Sequence, residues 1–472
     1  MNLDLNQLKE SLSSQRWFGD KGRSITDVSM LDLGVLEEGS ETLALALIEV
    51  TFELGPVSLY QVPLLFNGEG GVRHATDEPH RLGMLGTLMG HGTPIQGENG
   101  TFHFSGPALD PTNPPGSDST RSIGTEQSNT TLVLDEAVAL KLFRKVEAGA
   151  NPDLELNRVL ATRGFEHIPP HLGELFYESD DDEAIQIDLG IAQRFIADGE
   201  EGWAYVQREL KRLFEEIHEQ DAPEDRPVLI AERASGLLNA IEELGEATAS
   251  MHVVFSRDDL EFELLSEPLD IGDLKELCVN ALESLKESSA HVPELAVMTS
   301  DIEARLETAA AITEAGSKTR IHGDFHLGQV LHEPRKWLIL DFEGEPARTL
   351  EERRAKQSPL KDVAGMLRSF SYAAYAALFD MAAPDSDEWN ALEPWALDWE
   401  LLARSHFAQA YMSRSHEGNF LPSERDALLA LLDIFEIDKA LYEIRYERNH
   451  RPDWLRIPLR GLTQVIERGE NR

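Results

Sequence analysis

Apolar and polar positions change their period along this chain. Residues 6–13 place apolar positions at helical spacing. Alternating runs follow over 42–52 and 57–65, with the period of two that marks strands. Leu59, Gln61 and Pro63 fall on one side of that alternation, which predicts a sheet with one wet face. Residues 80–103 read as a helix that runs into the turn and short strand GENGTFHF. A Pro-, Ser-, Gly- and Asp-rich loop occupies 105–123. Two strand pairs come next: 132–134 with 138–143 around Asp135-Glu136, and 172–177 with 184–195 around ESDDDE. Between them, 151–162 predicts a helix with Asn151 as N-cap and Pro152 in the first helical position. From residue 202 onward the spacing becomes i, i+3, i+4. It predicts helices over 203–219, 230–254, 273–287, 297–314, 360–381, 388–415 and 423–447. One short strand pair, 329–331 and 337–340, interrupts that series around the turn Glu333-Pro334-Arg335. The order predicts an α+β protein, with strands in the first 200 residues and helices beyond. Three units are expected: 1–90, 91–200 and 201–472.

Composition narrows the function. The 472 residues are 41% hydrophobic, ordinary for a globular chain able to bury a large core. Acidic residues outnumber basic ones 85 to 43, for a net charge of −42. The acid is spread along the chain, so it reads as a solubility adaptation to salt. It argues against nucleic-acid partners and anionic membrane surfaces, which need basic patches. Cys278 is the only cysteine, which excludes a disulfide within the chain and fits a reducing compartment. The opening MNLDLNQLKESL has no signal-peptide pattern, and no run of about 18 apolar residues suggests a membrane span. These features predict a cytoplasmic protein with no membrane partner.

The chemistry concentrates in TRIHGDFHLGQVLHEPRKWLILDFEGEPA, residues 319–347. Asp324 and Asp341 lie 17 residues apart, beside the two strands of the interrupting pair. Two carboxylates so placed suit two tasks at one phosphate: accepting a proton from an attacking hydroxyl, and holding magnesium. A plain hairpin with two solvated acids is the bland alternative. A zinc site from His322 and His326 needs a helix, which Gly323 argues against, and there is no HExxH. A second informative stretch is 124–146. The small, polar residues 124–131 suit a phosphate-approaching loop. Lys141, within VALKLF, is costly to bury unless paired, and Glu155 on the following helix is its expected partner. Walker A and GxGxxG sequences are absent, which removes P-loop kinases and nicotinamide enzymes as strong candidates. Trp17 and Phe18 read as core anchors, and His252 as a packed helix histidine.

His322-Gly323-Asp324 followed by Gln329, and then Asp341-Phe342-Glu343, resembles the core of kinases of the aminoglycoside phosphotransferase type. QRWFGDKG, GTEQSNTT, DFEGEPA and DKALYEIRYERNHRPDWLRIPL together resemble the maltokinases, over nearly the whole chain. The resemblance implies a bilobal protein-kinase-like fold with an N-terminal cap and a mainly helical C-lobe. It implies ATP and Mg2+ as cofactors, and maltose as the sugar, phosphorylated at its anomeric hydroxyl to a precursor of glycogen or α-glucan. Asp324 would be the base, and Gln329 and Asp341 the magnesium ligands. Gln127, Ser128, Asn129, Thr130, Lys141, Glu155 and Gln193 would serve ATP. His326, Glu343, Lys439, Tyr442, Glu443, Tyr446 and Arg451 would serve the sugar. Residues 439, 442, 443 and 446 fall on one helix face. Association with trehalose synthase, as a monomer or homodimer, is also implied. The related glucosamine kinases share the core and are the alternative. A catalytically silent partner of a trehalose or glycogen enzyme is the alternative from another class.

Overall fold

The computed structural model describes residues 3–67, 71–116, 118–123, 128–182, 184–218, 225–346 and 348–470. The chain forms two compact units, Met1–Asp198 with Pro346–Leu350, and Gly199–Glu345 with Glu351–Arg472. It is an α+β protein with a strand-rich N-terminal part and a helical C-terminal part.

The first unit holds two antiparallel sheets. In the cap sheet, Ile25–Glu37 pairs with Thr42–Phe52, which pairs with Ser58–Phe66; Lys145–Val146 extends it, and Val72–His74 also pairs with Ser58–Phe66. Alternation along Thr42–Phe52 sends Ala44, Ala46, Ile48 and Val50 into a core with Leu8, Leu12, Trp17 and Phe18. Leu43, Leu45 and Leu47 enter a second core on the opposite face. The sheet is therefore buried on both faces, which corrects the expectation of one wet face. Gln61 misled the pattern because its polarity is met internally: its amide nitrogen, turned inward, reaches the carbonyl oxygens of Phe143 at 2.7 Å and Leu189 at 2.8 Å.

The second sheet runs in the order Ile95–Gln96, Gly100–Ser105, His171–Ser179, Gln186–Arg194, Val138–Phe143, Asn129–Leu134, Thr120–Ile123. Val138–Phe143 belongs to this sheet and Lys145–Val146 to the cap sheet, so Arg144 is the residue at which the chain changes sheets. The helix Pro152–Thr162 starts as expected, with the Asn151 side chain accepting the N–H of Asp153.

The second unit is mostly helical. The region expected as one helix over 230–254 is two, Arg226–Arg233 and Ser235–Phe255, with Ala234 between them. An additional helix, Arg456–Glu470, follows the last predicted one. The expected strand pair is Val330–Glu333 with Lys336–Ile339, joined to Glu200–Glu201 in a three-stranded sheet. Trp337 is fully buried, and its indole N–H donates to Ala240 O at 2.6 Å, which anchors this sheet on the helix Ser235–Phe255. Among the described residues, no helix is long and apolar enough to cross a membrane.

Candidate active site

In the second unit, the loop carrying Asp324 is built on a buried carboxylate. Asp362 lies in the first turn of the helix Leu360–Met381. It accepts the backbone N–H of His322 at 2.8 Å and of Gly323 at 2.9 Å, and contacts His252 Nε2 at 3.0 Å. His252 in turn lies 2.9 Å from the Tyr411 hydroxyl through Nδ1. Gly323 has φ +87°, in the left-handed region where a side chain is strained. The loop therefore turns sharply just before Asp324. Burial alone would push the Asp362 carboxyl up; the bond to His252, the His252 and His322 charges, and the Gly323 N–H reverse that and hold it below its ordinary value. Asp362 was not singled out in the sequence, where DVAG looks like any helix start. His252 is packed, as expected, and it also fixes this carboxylate.

The His322 ring is engaged within the fold. Its Nε2 contacts Leu340 O at 2.8 Å, tying the loop to the end of the strand Lys336–Ile339, and the ring packs against Phe325 and Phe342. His326 Nδ1 accepts the Gly328 N–H at 3.0 Å, capping the short turn Leu327–Gln329, and its Nε2 is 4.0 Å from Asp324 Oδ2. Burial holds His326 below its ordinary value despite the nearby Asp324 charge.

Asp341 follows the second strand with φ +62°, an uncommon conformation for a residue with a side chain. Its Oδ2 accepts from the Gln329 amide at 3.2 Å. The Gln329 amide nitrogen faces the carboxylate here; with that amide turned over, its Oε1 and the Asp341 carboxylate would offer two oxygen donors of the kind that suits magnesium. Glu343 lies two residues on, and its carbonyl accepts from Arg353 at 3.3 Å.

The helix Arg425–His450 supplies the remaining candidates. Lys439 Nζ is 3.5 Å from Asp324 Oδ1. Desolvation lowers the Lys439 pKa, but the Asp324, Glu443 and Glu345 charges outweigh it and hold it above its ordinary value. Tyr442 and Tyr446 are exposed. Glu443 shares their face in projection yet is buried, and the Arg368 guanidinium grips it at 2.7 and 3.0 Å. In this structure the Glu443 carboxylate serves Arg368, a buried cation that needs it. Arg451 bonds Glu447 at 2.7 and 2.9 Å and lies over the Trp454 ring at 4.2 Å. Tyr446 stacks on His450 at 4.4 Å. Sequence reading missed Arg368, whose partner Glu443 lies on another helix 75 positions away, a separation that leaves no local periodic signal.

The candidate nucleotide residues belong to the first unit. Lys141 Nζ is 3.0 Å from Asp153 Oδ2. The expected partner was Glu155. Asp153, two residues before it on the same helix and on its buried face, also bonds Lys141. Asn157 fixes it by donating to Asp153 O at 2.8 Å and Oδ1 at 2.9 Å, and Gln193 donates to Asn157 Oδ1 at 2.9 Å and to Pro169 O at 3.3 Å. The Gln193 amide is thus used inside the fold. Ser128 is exposed, whereas Asn129 and Thr130 are buried at the start of a strand, with Asn129 Oδ1 accepting the Arg144 N–H at 3.3 Å. Gln127 lies outside the described residues.

Residues 12–91 match the family described as the maltokinase N-terminal cap domain. A glucosamine kinase of Mycolicibacterium smegmatis is 25% identical over 74% of this chain and 80% of its own length. A glucosamine kinase of Streptacidiphilus jiangxiensis is 25% identical over 73% of each. A solved glucosamine kinase in complex with glucosamine, ADP and inorganic phosphate superposes with TM-score 0.70 at 19% identity, over 98% of this chain and all of the other. Another crystal form gives 0.72 at 20% identity, covering 97% of both chains. The chain therefore has the glucosamine kinase fold with a maltokinase-type cap. The chain is thus similar to maltokinases over its N-terminal segment and to glucosamine kinases over about three-quarters of its length.

Proposed function

We propose that the protein transfers the γ-phosphoryl group of ATP to a hydroxyl of a small sugar, with glucosamine the first candidate acceptor and maltose the second. The observation that carries the kinase reading is the placement of Asp324. It stands on a loop pinned by Asp362, 3.5 Å from the Lys439 ammonium. In this reading Asp324 accepts the proton of the sugar hydroxyl as phosphoryl transfer proceeds. Lys439 fixes the carboxylate's orientation. Asp341 and Gln329 would hold magnesium, which supplies charge neutralisation at the phosphate oxygens when bound. Lys141, kept straight by Asp153, contacts the nucleotide phosphates, and the backbone near Ser128 lines them. Catalysis is then mostly positioning and electrostatics.

Glucosamine stands first because the glucosamine kinases align over three-quarters of the chain, whereas the maltokinase match covers residues 12–91, a segment that holds none of the candidate site residues. Specificity resides in sites, not in appended domains. The maltose reading, whose product would be maltose 1-phosphate, keeps one favourable observation: the exposed phenols of Tyr442 and Tyr446 lie one helical turn apart, a platform for a second sugar ring. The test is a panel of glucosamine, glucose and maltose with ATP and magnesium, scored for phosphorylated product. Turnover of none of them, with ATP bound, would reject the kinase reading in favour of a silent kinase-like partner.

A further inference from the structure

Arg144 is fully buried, and its Nε, Nη1 and Nη2 all lack a hydrogen-bond partner. Guanidinium carries five N–H donors and stays protonated in proteins, so this is a complete set of charged donors closed off from water. Its flat face is served: the group lies over the Trp17 ring at 3.8 Å. Its edges are not. The neighbouring groups add no charge compensation. Trp17 is buried, and its indole N–H has no acceptor. His74 packs edge-on against Trp17 at 5.8 Å, and its Nδ1 is unpaired. The Ser11 hydroxyl donates to Leu8 O at 2.7 Å, so at the 2.9 Å contact it is His74 Nε2 that donates to Ser11 Oγ. Burial first, and the Arg144 charge second, push His74 down to about 4, so it is neutral at physiological pH. Asp20, the acid nearest in sequence to Trp17, is taken up by the Tyr60 hydroxyl at 2.6 Å, Arg23 at 3.0 Å and Lys145 at 3.3 Å. No described carboxylate pairs with Arg144.

A buried charge without a counter-charge costs several kcal/mol even after relaxation. A water molecule can take hydrogen bonds but cannot cancel the charge. We propose that the Arg144 guanidinium, enclosed with Trp17 and His74 at the point where the chain passes between the two sheets, holds a small monovalent anion of the chloride class. One uncompensated positive charge calls for one negative charge. The closed surroundings select a small ion over sulfate, phosphate or a nucleotide. The site lies in the first unit and is separate from the Asp324 chemistry.

The experiment compares halide with a bulky organic anion, methanesulfonate, at constant ionic strength, so that general screening of the acidic surface stays fixed. The melting temperature of the wild-type protein should rise and saturate as chloride or bromide replaces methanesulfonate. Arg144→Met, which keeps the packing on Trp17 and removes the charge, should lose that halide response. A flat wild-type curve, or an equal response in Arg144→Met, overturns the proposal. Should the variant fail to fold, bromide-soaked crystals of the wild type decide. An anomalous peak within hydrogen-bonding distance of the Arg144 nitrogens supports the site, and an ordered water without such a peak overturns it.

Discussion

Asp362 takes the backbone N–H of Gly323 at 2.9 Å, so a carboxylate on one helix sets the turn that presents Asp324. The same carboxylate binds the His322 N–H and His252. Replacing it with Ala leaves three donors unmet, two buried and the Gly323 N–H half-buried, and a buried one costs about 1–3 kcal/mol. Asp362→Ala should therefore lower unfolding stability by about 3–5 kcal/mol and reduce turnover together with it. Urea denaturation and steady-state kinetics on the same preparation check both. A normally stable, fully active variant would remove Asp362 from this role. The pH dependence has a definite sign. The folded pKa is depressed below its ordinary value of 3.8, so the carboxylate's contribution is complete above 3.8 and is lost as pH falls through the lower folded value. Asp362→Asn should flatten that acid limb of the stability curve.

Asp324→Asn should leave the fold and ATP binding nearly unchanged while removing the base. Losing general-base assistance costs about 100- to 10,000-fold in rate. Retention of more than about a tenth of wild-type turnover would reassign the base. Asp341→Asn should act differently, shifting the magnesium titration of activity. An unchanged titration would reject its metal role.

Lys141 distinguishes two acids on one helix. Its bond at 3.0 Å is to Asp153. Asp153→Asn should raise the KM for ATP and lower stability by about 3 kcal/mol, the cost of breaking a mostly buried pair. Glu155→Gln, on the more accessible side, should do much less to either. Equal effects, or a larger effect at Glu155, would favour Glu155 as the partner that matters for ATP.

The Lys141–Asp153 bond, which the sequence pattern did not single out, shows where sequence reading stops. The helix Leu360–Met381 and the strand Thr42–Phe52 were legible to the residue, because long periodic runs carry their own boundaries. Asp324 and Asp341 stood out because unusual residues flank them, and positive φ at Gly323 and Asp341 is the backbone reason for those flanks. Which acids reach a lysine depends on a rotation within one helical turn, and the Asn157 contacts hold Asp153 in place. The wet face assigned to Gln61 failed for a related reason. A polar side chain satisfied by the main-chain carbonyls of Phe143 and Leu189 reads as exposed until those partners are located. The buried pairs Asp362–His252 and Arg368–Glu443 join residues 110 and 75 positions apart, beyond the reach of any local pattern.

The charge balance predicts a salt response. With 85 acidic and 43 basic residues, self-repulsion destabilises the compact state. Its range contracts as the Debye length falls from about 10 Å at 0.1 M to about 3 Å at 1 M. The melting temperature should rise as sodium methanesulfonate is added over that interval. A flat or falling curve would mean that local ion pairs already compensate the acids. The halide response attributed to Arg144 would add to this effect and saturate at lower concentration.

Tyr446 tests which sugar is held. Its ring is exposed on the helix that carries Lys439, and it stacks on His450 rather than entering the core. A disaccharide needs groups beyond the reacting centre for its second ring, and an exposed phenol on a rigid helix provides one. If maltose is the acceptor, Tyr446→Ala removes a contact present in both the ground and transition states. KM for maltose should then rise with little change in kcat, the signature of lost uniform binding. If glucosamine is the acceptor, the ring lies past the end of the sugar, and the same variant should leave both constants near wild type. Lys439→Met serves as the contrast. It removes the cation 3.5 Å from Asp324, so kcat should fall with either sugar. A Tyr446→Ala variant that lowers kcat as strongly as Lys439→Met would place the phenol at the reacting centre and reject both assignments of its role.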